Sequence, residues 1–215
     1  MSQPGGQYVP ALGLHAFTDA YDALIARFFP EGAVKSRLLD IAEVGPGVRV
    51  LDLGCGTGTL LAMAAERGAI VTGIDADPKM LAKAVPKLQG REARLIEGYT
   101  TAVDLPDASF DVVISSLFFH HLRTADKRAT LERALGWLTP GGRLVIADFA
   151  RPRHPVHRAL FLPVRMLDGF PLTQDVLDER VPALMAEVGF RSVVEVEART
   201  TIFGALAWWS GSREP

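Results

Sequence analysis

The chain has 215 residues, 48% of them hydrophobic, and a formal net charge of −2 at pH 7. That length suits one α/β domain with a substantial core and leaves little for a second domain. No run of lysine and arginine would form an electrostatic footprint on nucleic acid, which disfavours DNA or RNA as a partner. The single cysteine, Cys55, excludes an internal disulfide framework and a multi-cysteine metal site, so we expect a reducing, cytoplasmic location.

The beginning of the chain predicts two helices ahead of the first strand. Apolar residues recur at helical spacing over residues 14–29 and again over 32–43. Helices in this position would cover the mouth of a binding site, and Tyr21 is our candidate there for a substrate contact. No apolar stretch approaches the length of a membrane span. We therefore expect no transmembrane segment, and peripheral contact with a membrane stays open.

The stretch from Val48 to Leu61 predicts a buried strand, a glycine-rich turn and the start of a helix. Gly54, Gly56 and Gly58 carry no side chain, so the backbone can take positive φ values and a ligand can approach it closely. The helix that follows would point its unpaired N–H groups at that ligand. A bare βα corner is the structural alternative for a glycine turn taken alone.

The order Asp52-x-Gly54-x-Gly56-x-Gly58 resembles the first motif of class I S-adenosylmethionine-dependent methyltransferases. A dinucleotide fingerprint needs its third glycine one residue later, where this chain has Thr59. The resemblance implies that this turn holds the methionine end of S-adenosylmethionine. The implied contacts are Asp52, Gly54, Cys55, Gly56, Thr57 and Gly58.

A second cofactor contact is predicted at the end of the next buried strand. Asp75 lies 21 residues after Gly54, the distance that one βαβ unit needs to bring a carboxylate beside the turn. There it can accept hydrogen bonds from both ribose hydroxyls. The following residues look like the family's post-strand motif, in which side chains pack on adenine. This implies adenine contacts for Ala76 and Met80, although Met80 also fits ordinary helix packing.

The loop after the third strand departs from the family pattern. Relatives usually show Gly-Asp-Ala-x-x-Leu-Pro, with the acid on the adenine amino group. Here two extra residues precede Leu105, and Tyr99 stands where the acid is expected. Adenine would therefore be read by the Thr100 or Thr101 hydroxyl or by the backbone. Tyr99, and Ser115 at the end of the fourth strand, complete the predicted cofactor contacts.

The segment from Leu117 to Leu122 resembles the one that passes beneath the sulfonium methyl in small-molecule methyltransferases. Histidine titrates near neutral pH, so His120 and His121 are candidates for removing a proton from the acceptor. Neighbours on a helix diverge by about 100°, so only one of them can face the pocket. No acid or histidine at helical i, i+4 spacing accompanies the pair, and we expect no metal site.

Further substrate contacts are predicted around the same edge of the sheet. Phe118 and Phe119 would wall an apolar pocket. Asp148 and Arg151 lie at the carboxyl end of the predicted fifth strand (143–149), where open α/β sheets bind ligands. They would contact substrate or, equally, serve as a cap and a salt-bridge partner.

The resemblance to class I methyltransferases implies a Rossmann-like three-layer α/β sandwich. Its seven-stranded sheet would have the order 3-2-1-4-5-7-6 with strand seven antiparallel. Helices are predicted over 124–138 and 176–188, and a hairpin over 191–198 and 201–209. We expect one domain with cap helices (1–44), a cofactor-binding core (45–150), a lid or substrate segment (151–189) and a C-terminal hairpin (190–215).

These features predict an S-adenosylmethionine-dependent methyltransferase acting on a small, partly apolar acceptor at oxygen, nitrogen or an activated carbon. A non-catalytic cofactor-binding or regulatory subunit and a nicotinamide-dependent oxidoreductase are the alternatives. The sequence does not separate a monomer from a homodimer.

Overall fold

The computed structural model of the chain describes residues 31–152, 159, 162, 166, 170–201 and 204–215. Tyr21 and the predicted helix over 14–29 lie outside these residues. So does most of the apolar segment between Arg151 and Phe170, where a lid was predicted.

Seven strands form a single sheet at the centre of the described structure. They are β1 (Arg49–Leu53), β2 (Ile70–Asp75), β3 (Ala93–Glu97), β4 (Phe110–Ser116), β5 (Leu138–Ala150), β6 (Arg191–Thr201) and β7 (Gly204–Ser212). The strand order is β3-β2-β1-β4-β5-β7-β6. Strands β1 to β5 pair in parallel, and β7 is antiparallel to both β5 and β6. The predicted strand order and the antiparallel seventh strand are confirmed.

Helices cover both faces of this sheet. They are α1 (Glu31–Ile41), α2 (Thr59–Glu66), α3 (Pro78–Ala84), α4 (Thr124–Trp137), α5 (Phe170–Leu177) and α6 (Arg180–Val188), with 3₁₀ turns at Val85–Leu88 and Phe119–His121. None of the helices in the described ranges is long and apolar enough to cross a membrane.

Two apolar cores lie on opposite faces of the sheet. One contains buried residues of α1 and α2, and the other contains those of α4 and α6. Trp208 and Trp209 are neighbours on β7 and point to opposite faces, because side chains alternate along a strand. Trp208 is buried in the first core and Trp209 in the second, with 0% and 4% of their surfaces exposed. Both tryptophans therefore serve packing.

The single helix predicted over 176–188 is wrong. The structure has α5 and α6 instead, separated at Asp178 and Glu179, and Glu179 has a left-handed φ of 52°. Pro182 explains the break, because its ring would clash with the Asp178 carbonyl and it has no N–H to donate there. In the first turn of α6 that missing N–H leaves no hydrogen bond unmade.

The fifth strand is longer than predicted. It begins at Leu138, and the register with β4 jumps between the pairs Phe110–Leu138 and Val112–Arg143. Gly141 allows this bulge with a φ of 76°. The strand then runs to the edge of the sheet where β1, β2 and β4 also end, and the predicted site residues gather there.

Candidate active site

The three glycines of the turn between β1 and α2 serve different purposes. All have positive φ, at 70° for Gly54, 53° for Gly56 and 71° for Gly58. A Cβ on Gly54 would lie 2.3 Å from Cδ2 of Phe118, and one on Gly58 would lie 2.6 Å from Cβ of Ala84. A Cβ on Gly56 would meet no described atom within 4 Å. Of these three glycines, Gly56 is the one whose backbone the described residues leave open to a ligand.

Asp52 precedes this turn as a buried carboxylate, with 1% of its surface exposed. Neither of its oxygens has a hydrogen-bond partner among the described residues. Burial raises its pKa to about 8; the positive charge of Lys35 opposes this rise, and the negative charge of Asp75 adds to it. A buried carboxylate without a partner is costly. A cationic ligand such as an ammonium group would satisfy it.

Cys55 contributes its backbone to the turn and its side chain to the core. Its N–H donates to the Ile74 carbonyl at 2.9 Å, and its Sγ packs against Gly73 of β2. Burial raises the pKa of the thiol, and the charges of Asp52 and Asp75 raise it further. The thiol is thus a small packing group, and no contact with a ligand is required of it.

Lys87 binds the side chains of the glycine turn through hydrogen bonds, a role that the sequence analysis missed. Its Nζ donates to the Thr57 hydroxyl at 2.9 Å and to the Thr59 hydroxyl at 2.8 Å. The predicted cofactor residue Thr57 is therefore already engaged through its side chain. Spacing along the chain gave no sign of this contact, because Lys87 belongs to the 3₁₀ turn after α3.

Asp75 ends β2 beside the glycine turn, as the βαβ spacing predicts. Its Oδ2 accepts the Gly56 N–H at 2.7 Å, and its Oδ1 accepts the Asp77 N–H at 2.9 Å. Each carboxylate oxygen can accept more than one hydrogen bond, so the group can still receive hydroxyl donors. Ala76 and Met80 are half-buried at the same edge.

The residues predicted to read adenine have different environments. The Thr100 hydroxyl is buried and shares a 2.8 Å hydrogen bond with the Thr130 hydroxyl of α4. Tyr99 is 47% exposed, and Thr101 is half-buried. Thr100 is thus engaged in packing, and the other two remain available to a ligand.

Two serines end β4 and point to opposite faces of the sheet. The Ser115 hydroxyl is fully buried and donates to the Leu53 carbonyl at 2.9 Å, so it ties β4 to β1. The Ser116 hydroxyl is buried and has no hydrogen-bond partner within the described part of the chain. Since Asp52 pairs with Ile114, two residues earlier, Ser116 lies on the same face as Asp52. The period of the strand could have identified it.

Phe118 covers the glycine turn, whereas Phe119 belongs to the core. Leu117 follows β4 with a left-handed φ of 55°, which redirects the chain into the 3₁₀ turn. The Phe118 ring then lies against Gly54. Phe119 has no exposed surface and packs in the core beside α4. The expectation that Phe119 lines a substrate pocket is therefore corrected, because the turn points its ring inward.

His120 and His121 differ sharply in exposure. His120 is 5% exposed, its Nδ1 lies 2.6 Å from Oδ1 of Asp148, and its backbone N–H donates to Oδ2 of Asp148 at 3.1 Å. His121 is exposed, and its ring centroid lies 3.9 Å from that of His120. Partial desolvation of the His121 ring lowers its pKa, and the charge of His120 lowers it further. His121 is therefore neutral near pH 7.

Asp148 is the partner of His120 and does not face the open edge. Burial opposes ionisation of its carboxyl, but the charge and hydrogen bond of His120 outweigh burial and hold the pKa below its ordinary value. With 1% exposure it cannot contact a substrate directly, so its predicted substrate role is corrected to that of a salt-bridge partner. Arg151 is exposed just beyond the end of β5.

No group of three or more histidine, cysteine, aspartate or glutamate side chains that could hold a metal ion occurs in the part of the chain that the structure describes.

Comparison with known proteins agrees with this fold. Residues 50–142 match a family model described as a methyltransferase domain. An uncharacterized methyltransferase of Bacillus subtilis is 30% identical over 149 residues, which span 69% of this chain and 70% of that protein. The demethylmenaquinone methyltransferase of Thermus thermophilus is 39% identical over 122 residues, spanning 55% and 54% of the two chains. Several other curated relatives match over about half of their length, such as 51% for a methyltransferase of Mycobacterium tuberculosis.

Solved structures share the fold at lower sequence identity. The magnesium protoporphyrin IX methyltransferase of Synechocystis, solved with bound S-adenosylhomocysteine, superposes with a TM-score of 0.67 at 23% identity. The superposition covers 85% of this chain and 83% of that one.

Proposed function

The chain belongs to the S-adenosylmethionine-dependent methyltransferases, and from this membership we propose that it transfers a methyl group to a small, partly apolar acceptor. The observation that carries the proposal is the buried Asp52 carboxylate, which has no hydrogen-bond partner among the described residues, together with the Gly56 backbone, which no described side chain covers. This arrangement suits an amino-acid ammonium group above a closely approached turn.

The residues at the edge of the sheet fit S-adenosylmethionine. Asp52 would accept the ammonium group, the backbone at Gly56 would approach the ligand closely, and Asp75 would accept the ribose hydroxyls. Ala76 and Met80 would lie against adenine. When bound, this cofactor supplies an electrophilic methyl group on a positively charged sulfur.

His121 is the histidine that we propose meets the acceptor. The His121 N–H donates to the Phe118 carbonyl at 3.1 Å, one turn of 3₁₀ backbone away, and we therefore expect His121 to share a side with Phe118. Phe118 covers Gly54, which places that side toward the glycine turn. His121 is exposed, whereas His120 is buried against Asp148. The buried pair of His120 and Asp148 would then fix the turn from which the His121 side chain extends toward the acceptor.

The lowered pKa of His121 suits the removal of one kind of proton. A hydroxyl becomes strongly acidic as it gains a methyl group, so a neutral imidazole with a pKa of about 3 can take its proton, whereas the ammonium formed from an alkylamine holds its proton too tightly for so weak a base. An acceptor that carries no proton would need only alignment with the methyl group.

An apolar component in the acceptor is supported by two observations. Phe118 offers an aromatic surface beside the turn. The Thermus thermophilus relative is named for demethylmenaquinone, a quinone. We therefore propose aromatic or quinone-like compounds, methylated at oxygen, nitrogen or activated carbon, as the first acceptors to test.

The test combines cofactor binding with transfer of a radiolabelled methyl group. Titration calorimetry should show binding of S-adenosylhomocysteine and no binding of NAD. Phenols, hydroquinones and arylamines are then offered with labelled S-adenosylmethionine. His121→Ala should lower the rate by about 100-fold with unchanged S-adenosylhomocysteine affinity, while Arg123→Ala, an exposed neighbour, should behave as wild type.

Three results would contradict parts of the proposal. Binding of NAD without binding of S-adenosylhomocysteine would indicate an oxidoreductase. Cofactor binding with no transfer to any acceptor would favour a regulatory subunit. Wild-type turnover by folded His121→Ala would remove the histidine from the chemistry and leave alignment as the source of catalysis.

A further inference from the structure

Lys127 is a buried lysine on α4 with 1% of its side chain exposed. Its Nζ donates to the Leu122 carbonyl at 2.6 Å and to Oδ2 of Asp175, on α5, at 2.7 Å. Burying a charged side chain is unfavourable unless it is paired and hydrogen-bonded. Both conditions are met here. The hydrogen bond is made to the Leu122 carbonyl, at the end of the 3₁₀ turn Phe119–His121 (the histidine turn), and the charge is paired with Asp175 of α5.

Leu122 is the residue at which the histidine turn ends. Its N–H donates to the Phe119 carbonyl at 3.0 Å, which closes the turn that contains His120 and His121. The Lys127 ammonium therefore holds the carboxyl end of the turn. Asp148 holds its middle, through the backbone and ring of His120.

Asp175 connects this arrangement to α5, a helix within the predicted lid or substrate segment (151–189). It accepts a second hydrogen bond, from the Thr124 hydroxyl at 2.8 Å, through the same oxygen that receives Lys127. The Lys127–Asp175 and His120–Asp148 pairs line one narrow cavity between α5, α6 and the end of β5. The position of α5 is thus tied to the position of the histidines.

Stability alone does not account for a lysine at this position. Replacing a buried ion pair by well-packed apolar residues is often neutral or stabilising. What an apolar side chain cannot provide is a directed hydrogen bond to the Leu122 carbonyl.

We propose that Lys127 is a positioning residue, which fixes the turn carrying His120 and His121 and, through Asp175, couples that turn to α5. The effect of Lys127 on methyl transfer rests on the function proposed above. The effect of Lys127 on the geometry of the turn is independent of that function.

The experiment uses the double variant Lys127→Met/Asp175→Leu, which removes both charges together and so leaves no unpaired charge in the core. Long-range ¹H–¹⁵N spectra report the tautomer and mobility of each imidazole. Thermal unfolding, S-adenosylhomocysteine affinity and kcat are measured on the same protein. We expect shifted and broadened His120 and His121 signals and a kcat lower by about 10- to 100-fold. The melting temperature and the cofactor affinity should stay close to wild type.

The exposed ion pair between Arg128 and Glu187 provides a matched control. It also joins α4 to another helix, α6, and Arg128 is the residue after Lys127. Arg128→Met/Glu187→Leu should leave the imidazole spectra and kcat unchanged. Should the apolar double variant fail to fold, Lys127→Leu/Asp175→Asn keeps a polar partner for Thr124, offers no donor to the Leu122 carbonyl, and is judged by the same criteria.

Imidazole spectra identical to wild type in a folded double variant would overturn the positioning role, whatever the rate. If wild-type protein methylates no acceptor, the proposed function fails, and the spectra still decide whether Lys127 positions the turn. Altered spectra with an unchanged kcat would limit the role to structure and remove it from catalysis.

Discussion

The Nδ1 atom of His120 lies 2.6 Å from Oδ1 of Asp148, although the two residues are 28 positions apart in the chain. His120 belongs to the turn after β4 and Asp148 to the end of β5, so the contact joins these two neighbouring elements at the edge of the sheet. Both side chains are nearly inaccessible. The pair therefore forms an inner support, and the neighbouring His121 is left exposed.

Breaking this pair should destabilise the fold. His120→Ala leaves Asp148 as a buried charge without its partner, which we expect to lower the free energy of unfolding by about 3–5 kcal/mol, measured by urea denaturation at pH 7. The exposed His121→Ala should change it by less than about 0.5 kcal/mol. Equal stabilities of the two variants would show that the pair contributes nothing.

The same pair predicts a pH dependence. The folded protein holds the pKa of Asp148 below its ordinary value of about 3.9. Its contribution to stability is therefore fully present above about pH 4 and is lost as the pH falls through the lower folded pKa. The difference in unfolding free energy between wild type and His120→Ala should shrink in that acidic range. A difference that stays constant down to pH 2 would contradict this assignment.

Asp52 should have the opposite pH dependence. Its folded pKa of about 8 lies above the ordinary value of about 3.9, so the folded state binds more protons between these values. The stability of the ligand-free protein should therefore fall as the pH rises from 4 to 8. Asp52→Asn should remove this decline, as measured by thermal unfolding across the range.

Cofactor affinity should follow the same titration. An ammonium group binds the ionised form of Asp52, so S-adenosylhomocysteine should bind up to about tenfold more tightly per pH unit between 6 and 8. The affinity of Asp52→Asn should be weaker and nearly independent of pH. Parallel pH profiles for the two proteins, measured by calorimetry, would place the ammonium group elsewhere.

Two glycines of the same turn should respond differently to substitution. Gly56→Val should mainly weaken S-adenosylhomocysteine binding, because the side chain would enter open ligand space, with about 1–2 kcal/mol of backbone strain. Gly58→Ala should mainly lower the melting temperature, since its Cβ would lie 2.6 Å from that of Ala84. The reverse pattern would mean that Gly58 faces the ligand.

Asp75 and Asp77 provide a matched pair of carboxylates. Asp75→Ala should weaken S-adenosylhomocysteine by about 1–3 kcal/mol through loss of hydroxyl acceptors. Asp77 caps α3 by accepting the Lys79 N–H at 2.8 Å, so Asp77→Ala should cost about 1 kcal/mol of stability with little change in affinity. Calorimetry and denaturation on both variants separate the roles, and unchanged affinity in Asp75→Ala would contradict the ribose assignment.

The sequence by itself determined the framework. Strand and helix periods, the glycine turn and the spacing to Asp75 are local properties of one βαβ unit. The resemblance of these motifs to the methyltransferase family implied the strand order that the structure has. The break before α6 could also have been predicted from Pro182. The helical spacing of apolar residues on both sides of the break favoured one continuous helix instead.

Only the tertiary structure decided which side chains face the site. Glycine spacing cannot show that Phe118 fills the space at Gly54 and Ala84 the space at Gly58, leaving Gly56 open. Nor can residue type show that Asp148 turns to His120, because each partner is brought by a different strand. Periodicity depends on backbone geometry along one element. Partner choice depends on which elements the sheet places side by side, and that information is carried by no single segment of the chain.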